Sequence, residues 1–287
     1  MDIQFAYFLG WMFSDGCVMK DKRCNSWITS IVIHRQDEDV INCFSGITNW
    51  SIHYEGKENN YIRIRKNNTE LAEKLKNFGV LERKSFENKD LLKIPDEISD
   101  DLFPYFLRGF IDGDGTYYWA NKKEFLLHCE MVGMCVNVLT QIQEYLKRND
   151  IESKLYKAVR SYKDSTTYLW KLRIRKKSEV KKLCDLLFKD HLEFKLNRKY
   201  NLVKTFLDNY KTVSQRKKEL YKPIPPVPEE ARKRGIQTRK LHVEQGLINY
   251  SMTGKRHSEE TKQKMSATHK KLAQLKSGEL REHPKES

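Results

Sequence analysis

The chain has 287 residues, 39% hydrophobic and 32% charged, enough for about two packed domains under a strongly polar surface. Lys and Arg number 54 against 39 Asp and Glu, a net charge of +15 that points to a polyanionic partner. No apolar run approaches the roughly 18 residues of a membrane span, the apolar start at Phe5–Phe13 lacks a preceding basic region, and six cysteines without a C-x-x-C pair argue against secretion, a disulfide scaffold or a zinc site and for a reducing compartment such as the cytoplasm.

Taken in chain order, the elements repeat. Residues 3–14 read as an apolar helix, Ser26–Arg35 as a strand with alternating Trp27, Ile31 and Ile33, and Asp37–Ile47 as a short helix. Ser51–Glu55 and Tyr61–Lys66 read as a hairpin around Gly56, and 69–78 as a helix. The second half repeats this pattern at 104–113, 116–121, 124–131, 135–149, 153–160, 167–175 and 178–188. Tyr7–Gly16 recurs as Phe106–Gly115 without a gap, Ile62–Lys66 as Leu172–Lys176, and Leu81–Lys84 as Leu196–Lys199. Three matches in one order mean a duplicated unit of helix, two strands, helix, two strands, helix. The expectation is an α+β protein of two pseudo-symmetric αββαββα repeats with antiparallel sheets, the first over 1–98 and the second over 99–210.

Each repeat opens on a helix that ends in an acid followed by glycine, Asp15-Gly16 and Asp114-Gly115. Gly10 and Ser14, like Gly109 and Gly113, are four apart and put small residues on one face, so the two helices are expected to pair closely about a pseudo-twofold axis. The glycines after the acids read as helix C-caps. A carboxylate in the last turn opposes the helix dipole, and two brought together repel unless a divalent cation neutralises them. One Asp-Gly alone reads as a solvated turn; two at matching positions read as a metal site. Asp112 has no acidic counterpart, since Phe13 stands at its position in the other copy, and reads as a capping or structural residue.

The hairpin strands carry a second pattern. Arg63 and Arg65 alternate with Ile62 and Ile64; Lys171, Arg173 and Arg175 alternate with Trp170, Leu172 and Ile174; Lys157 and Arg160 lie on the neighbouring strand. Period two sends the apolar residues to the core and the cations to the other face, where arginines suit a DNA major groove and a carboxylate such as Glu55 can pair some of them. Pro223, Pro225, Pro226 and Pro228 then mark a stiff linker, set at 211–235, before a tail at 236–287. Residues 211–287 carry 19 Lys and Arg against 9 acids, two-thirds of the net charge, with Tyr250 the one aromatic beyond the prolines, so they read as a DNA-hugging arm. Within it Ser258 is an N-cap followed by Glu259 and Glu260, with Lys255, Arg256, His257 and Lys262 flanking the helix start.

The segments Phe-Leu-Gly-Trp-Met-Phe-Ser-Asp-Gly at 8–16 and Leu-Arg-Gly-Phe-Ile-Asp-Gly-Asp-Gly at 107–115 resemble the signature of the LAGLIDADG homing endonucleases, the second closely and the first in degenerate form. The resemblance covers residues 1–210 and implies a monomeric enzyme, carried by a mobile genetic element, that reads both halves of a long pseudo-palindromic double-stranded DNA site. It also implies that Asp15 and Asp114 ligate Mg²⁺ or another divalent cation that drives hydrolysis of one phosphodiester per strand. On the same ground Gln36 is placed near the metals, with Gly133 in its position in the second repeat, and Lys84 and Lys199 near the scissile phosphates. The tail segment Gly-Lys-Arg-His-Ser-Glu-Glu-Thr-Lys resembles the nuclease-associated modular DNA-binding motifs, which implies a tethered DNA contact. The alternatives within this resemblance are an RNA-binding maturase acting on its intron and a non-cleaving DNA-binding regulator. Without a flanking self-splicing segment in the sequence, the expectation is an intron-encoded or free-standing gene in a DNA-containing compartment.

Overall fold

The computed structural model describes residues 1–21, 25–82, 84, 90–162, 165–211, 215, 229, 230, 233 and 237, with the side chains at 160–162 and 165–167 left aside. Contacts divide the chain into Met1–Arg216 and Lys217–Ser287. The tail residues Lys255, Arg256, His257, Ser258 and Lys262 lie outside the described residues.

The first unit starts with helix α1 (Ile3–Phe13), capped by the Asp2 carboxylate, which accepts from the Phe5 N–H at 2.7 Å. Phe5 through Phe13 are all buried, as an apolar helix without a polar stripe requires. Strands β1 (Gly16–Asp21) and β2 (Ser26–His34) follow, then a 3-10 helix (Arg35–Phe44), β3 (Ser51–Glu55), β4 (Tyr61–Asn67) and α2 (Thr69–Asn77). The second repeat has α3 (Phe103–Asp114), β5 (Gly115–Asn121), β6 (Leu126–Gly133), α4 (Val136–Arg148), β7 (Lys154–Tyr162), β8 (Ser165–Ile174), α5 (Lys177–Leu187) and α6 (Asn197–Asp208). Two four-stranded sheets, ordered β1-β2-β4-β3 and β5-β6-β8-β7, are antiparallel at every pairing.

The expected order of elements is present, with five differences. The match of Ile62–Lys66 to Leu172–Lys176 is shifted by two residues in the sheets: Ile31 pairs with Ile64 as Met131 pairs with Leu172, so Arg65 corresponds to Arg173, and Gly133 corresponds to Ile33 rather than to Gln36. The first strand of repeat one, β1, was not assigned to residues by the sequence. The segment expected as a helix over 37–47 is a 3-10 helix starting at Arg35, broken at Asp37 (φ −107°, ψ 16°). Helix α6 was not anticipated, although Leu196, Val203 and Phe206 are buried at helical spacing. Gly16 and Gly115 are not left-handed caps: among the described residues the left-handed glycines are Gly56 and Gly79, and Gly115 is extended at φ −92°. A Cβ at Gly16 would meet Met12 Cα at 2.4 Å, and one at Gly115 would meet the Ile111 carbonyl oxygen at 2.6 Å, so close approach of the chain to its own last helical turn sets these residues.

α1 and α3 pair as the small residues require. A Cβ at Gly10 would stand 2.1 Å from the Phe106 carbonyl oxygen, and one at Gly109 would stand 2.0 Å from that of Tyr7, so no side chain fits at the crossing. Around it, aromatic edges interlock, including Phe13 on Phe106 at 5.3 Å, and join both repeats into one core.

Candidate functional site

The helix pair brings the two acids together at one end. Asp114 is the last residue of α3, and Asp15 follows the C-cap Ser14 of α1. A Cβ at Gly113 would lie 1.9 Å from Ser14 Oγ and 3.3 Å from Asp15 Oδ2, which measures how closely the two chain ends meet. Asp114 is half-buried; desolvation, then the Asp15 charge, holds its carboxyl well above the usual range despite Lys84 and Lys199. Solvent reaches Asp15, yet desolvation against the surrounding protein also leads in raising its carboxyl, and Asp37 adds to the rise. Two carboxylates that burial disfavours and that repel each other form a hard-oxygen donor set suited to a divalent cation, and the residues present fit one. Among the described residues no group of three or more His, Cys, Asp and Glu forms a denser metal site.

Lys84 and Lys199 lie beneath this pair, both buried. Lys84 Nζ donates to the carbonyls of Met12 at 2.9 Å and of Ser14 and Gly16 at 2.5 Å. Lys199 Nζ is shared among those of Ile111 (2.8 Å), Asp112 (2.6 Å), Gly113 (3.2 Å) and Gly115 (2.7 Å). Each ammonium therefore caps the C-terminus of one paired helix and offsets the dipole that the acids oppose. With their donors on main-chain carbonyls, the lysines hold the backbone that carries the acids. Burial lowers the pKa of both, against the nearby carboxylates that raise it. The expectation for Asp112 is met: it is buried, accepts from Tyr7 OH at 2.8 Å and the Leu196 N–H at 2.9 Å, and burial raises its pKa to about 6.

Gln36 is exposed, two residues past the end of β2, with its main-chain N–H on His34 Nδ1 at 3.2 Å. Its neighbour matters more to the geometry and was missed by sequence reasoning. Asp37 is buried and takes a bidentate pair from Arg198, Nε at 2.7 Å and Nη2 at 2.8 Å, while Asp39 accepts from the Asn197 N–H at 3.0 Å. The 3-10 helix of repeat one thus grips the start of α6, which carries Lys199, and the Asp37 charge reaches Asp15. Nothing local in the sequence links residues 161 apart; the run Asp37-Glu38-Asp39 was the one available signal.

The sheets carry the basic faces. Arg63 lies opposite Val32 and His53, and Arg65 opposite Ser30 and Ser51; the intervening Ile62 and Ile64 are buried. Arg63 Nε donates to Glu55 at 2.7 Å, and this contact lowers the Glu55 pKa. In repeat two, Lys171 and Arg173 share a face with Lys154 and Tyr156, and Arg175 continues their alternation as an exposed side chain. Arg160 pairs in register with Thr167, which belongs to the same set of alternate positions. Lys157 does not: it lies opposite Trp170, on the sheet's apolar side, with Nζ over the Tyr168 ring at 4.0 Å. Period-two counting within β8 could not reveal this, since the parity of β7 depends on pairing register.

Fold and site together define a pseudo-twofold α+β protein in which each repeat delivers one carboxylate to the junction of a central helix pair and one basic strand face. Residues 104–187 match the family model of the LAGLIDADG-like domain, and residues 248–270 match the NUMOD3 motif. Over 187 residues it is 26% identical to the Methanocaldococcus jannaschii protein described as "Probable translation initiation factor IF-2", a match that takes in 63% of this chain and 15% of that protein. Among solved structures it is similar to the LAGLIDADG meganuclease I-AabMI bound to uncleaved DNA (14% identity, 72% of this chain and 90% of that one, TM-score 0.45). It is also similar to the LAGLIDADG homing endonuclease I-SmaMI bound to cleaved DNA (14%, 81% and 95%, TM-score 0.44), and to the homing endonuclease I-WcaI bound to its DNA recognition sequence (13%, 70% and 85%, TM-score 0.42).

Proposed function

We propose that this protein is a site-specific, divalent-metal-dependent endonuclease that hydrolyses one phosphodiester on each strand of a long double-stranded DNA site, with one chain serving both half-sites. The observation that carries this reading is the meeting of Asp15 and Asp114, from different repeats, at the shared end of α1 and α3. Two basic strand faces and a net charge of +15 supply the attraction for DNA.

Asp15 and Asp114 would hold the divalent cation, Mg²⁺ or a similar ion. Bound there, it supplies Lewis-acid polarisation of the phosphate and neutralises charge that builds on it. The chain's own residues do the rest. Lys84 and Lys199 fix the backbone of both acids, Arg198 and Asp37 tie α6 to the opposite repeat, and the arginine-bearing strands orient the duplex. The NUMOD3 motif favours DNA over an intron RNA as the polyanion and adds a second contact through a proline-rich tether.

The test is incubation of the purified chain with a randomised duplex library and Mg²⁺, followed by mapping of cut ends. One recurrent site, cut on both strands and protected by a chelator, is expected. Absence of cutting, or cutting indifferent to the chelator, would overturn the reading.

A further inference from the structure

The two sheets align position by position, and Ser30 of the first differs in charge from its counterpart in the second. Gly16 pairs with Ile31 as Gly115 pairs with Met131, so Ser30 corresponds to Glu130. Ser30 lies opposite Arg65, and Glu130 opposite Arg173. Glu130 accepts from Lys171 Nζ at 2.9 Å and from Arg173 Nε; its side chain is 13% exposed, against 24% for Arg173 and 26% for Lys171. Burial pushes the Glu130 carboxyl up, but the two cationic hydrogen bonds more than offset it, so it stays ionised. The Arg173 guanidinium also stacks over the Tyr156 ring at 4.6 Å. Arg65 donates to Asn67 Oδ1 at 3.4 Å, and its charge acts on Glu55, whose carboxylate is hydrogen-bonded by Arg63 instead.

We propose that Glu130 is a positioning residue that makes repeat two read its half-site more stringently than repeat one reads its own. The inference rests on the basic faces being the DNA interface.

A carboxylate on a face that receives phosphates weakens sequence-independent attraction, and a partly open ion pair adds little stability. What it does supply is orientation. A free arginine side chain samples many rotamers; Glu130 and Tyr156 remove much of that freedom before DNA arrives. Because Glu130 engages Nε, the terminal nitrogens are left for another partner, and two such donors match the O6 and N7 acceptors of guanine. Glu130 also cancels one of the two charges on Lys171 and Arg173, so a wrong sequence finds less compensation from phosphate contacts. Arg65, less restrained, serves any sequence.

The experiment uses the full chain and a target selected by binding from a randomised duplex library. Each base pair is permuted and the affinity measured; the half read by repeat two is the one whose penalties disappear in Arg173→Ala. The wild-type protein is expected to lose about 10-fold or more at one position of that half, and about 3-fold or less at the symmetric position of the other. Glu130→Gln is expected to bind random duplex more tightly, to steepen the slope of log Kd against log salt by about one unit, and to flatten the profile of its half alone. Glu55→Gln, whose pair with Arg63 is more open, is expected to change either quantity by about twofold at most. Equal stringency in the two wild-type halves overturns the proposal, as does a Glu130→Gln protein with unchanged slope and profile. Should circular dichroism show Glu130→Gln unfolded, the wild-type permutation alone decides. A wild-type chain that binds no duplex at low salt refutes the DNA interface itself, a result distinct from either.

Discussion

The two repeats agree where they touch and differ where they do not. At the helix crossing both have glycine, at both helix ends a buried lysine caps the carbonyls, and both sheets have the same strand order. Beyond these features the likeness stops. Phe13 stands where repeat two has Asp112, which is buried with Tyr7, Ile33 stands where repeat two has Gly133, and Ser30 stands where repeat two has Glu130. Close packing of two backbones tolerates no side chain, so the junction is fixed by sterics. The strand faces are not held by the helix packing, so each can diverge, which is the freedom that the proposed reading of two unlike half-sites would use.

The comparison is broken most severely at the crossing. Gly109→Val places two methyl groups into the Tyr7 carbonyl, whose oxygen already lies 2.0 Å from an ideal Cβ. Because that contact is backbone, loss of the folded state is expected, at or beyond the upper end of the about 1–3 kcal/mol typical of overpacking, and a thermal melt would show it. Lys199→Met comes next. It leaves four carbonyls at the end of α3 without their donor and should cost about 2–4 kcal/mol in chemical denaturation. Lys84→Met should do the same for α1, which would sharpen the claim that the two lysines are equivalent caps. By contrast, Arg63→Ala, whose Glu55 pair is a third open, should cost under about 1 kcal/mol of stability.

The acids predict a pH dependence of definite sign. Asp112 is raised to about 6 and Asp114 is raised from the ordinary carboxylate range. Between the unfolded values and these, the folded chain keeps protons that the unfolded chain has lost, so stability without divalent cations falls as pH rises through about 4 to 7. A divalent ion binds the ionised pair, so its stabilising effect should grow over the same interval. Melts at pH 5 and pH 8, each with chelator and with Mg²⁺, measure both; the smaller, Asp112-dependent part of the slope should vanish in Asp112→Asn.

Much of this was legible in the sequence because duplication writes local patterns twice. The paired helices, the two acids, the alternating cations and the sheet arrangement all follow from periodicity and a repeated motif. What stayed hidden depends on contacts between distant residues. Lysine is rarely buried, so the sequence places Lys84 and Lys199 near the phosphates without showing their burial, and only a folded helix end reveals the carbonyls that accept from them. The Asp37–Arg198 pair and the Glu130 contacts to Lys171 and Arg173 join segments that no local rule connects. Lys157 landed on the apolar side because register, not composition, decides which way a strand residue faces.

The central claim is that Asp15 and Asp114 act together as one metal-dependent centre serving two strands. A supercoiled plasmid carrying the selected target, incubated with Mg²⁺ and wild-type protein, should yield linear DNA. Asp114→Asn should yield none while still retarding the target in a gel, because a ligand is lost and the basic faces remain; Asp15→Asn should yield none or nicked circles alone. Undiminished linear product from either variant would contradict the account.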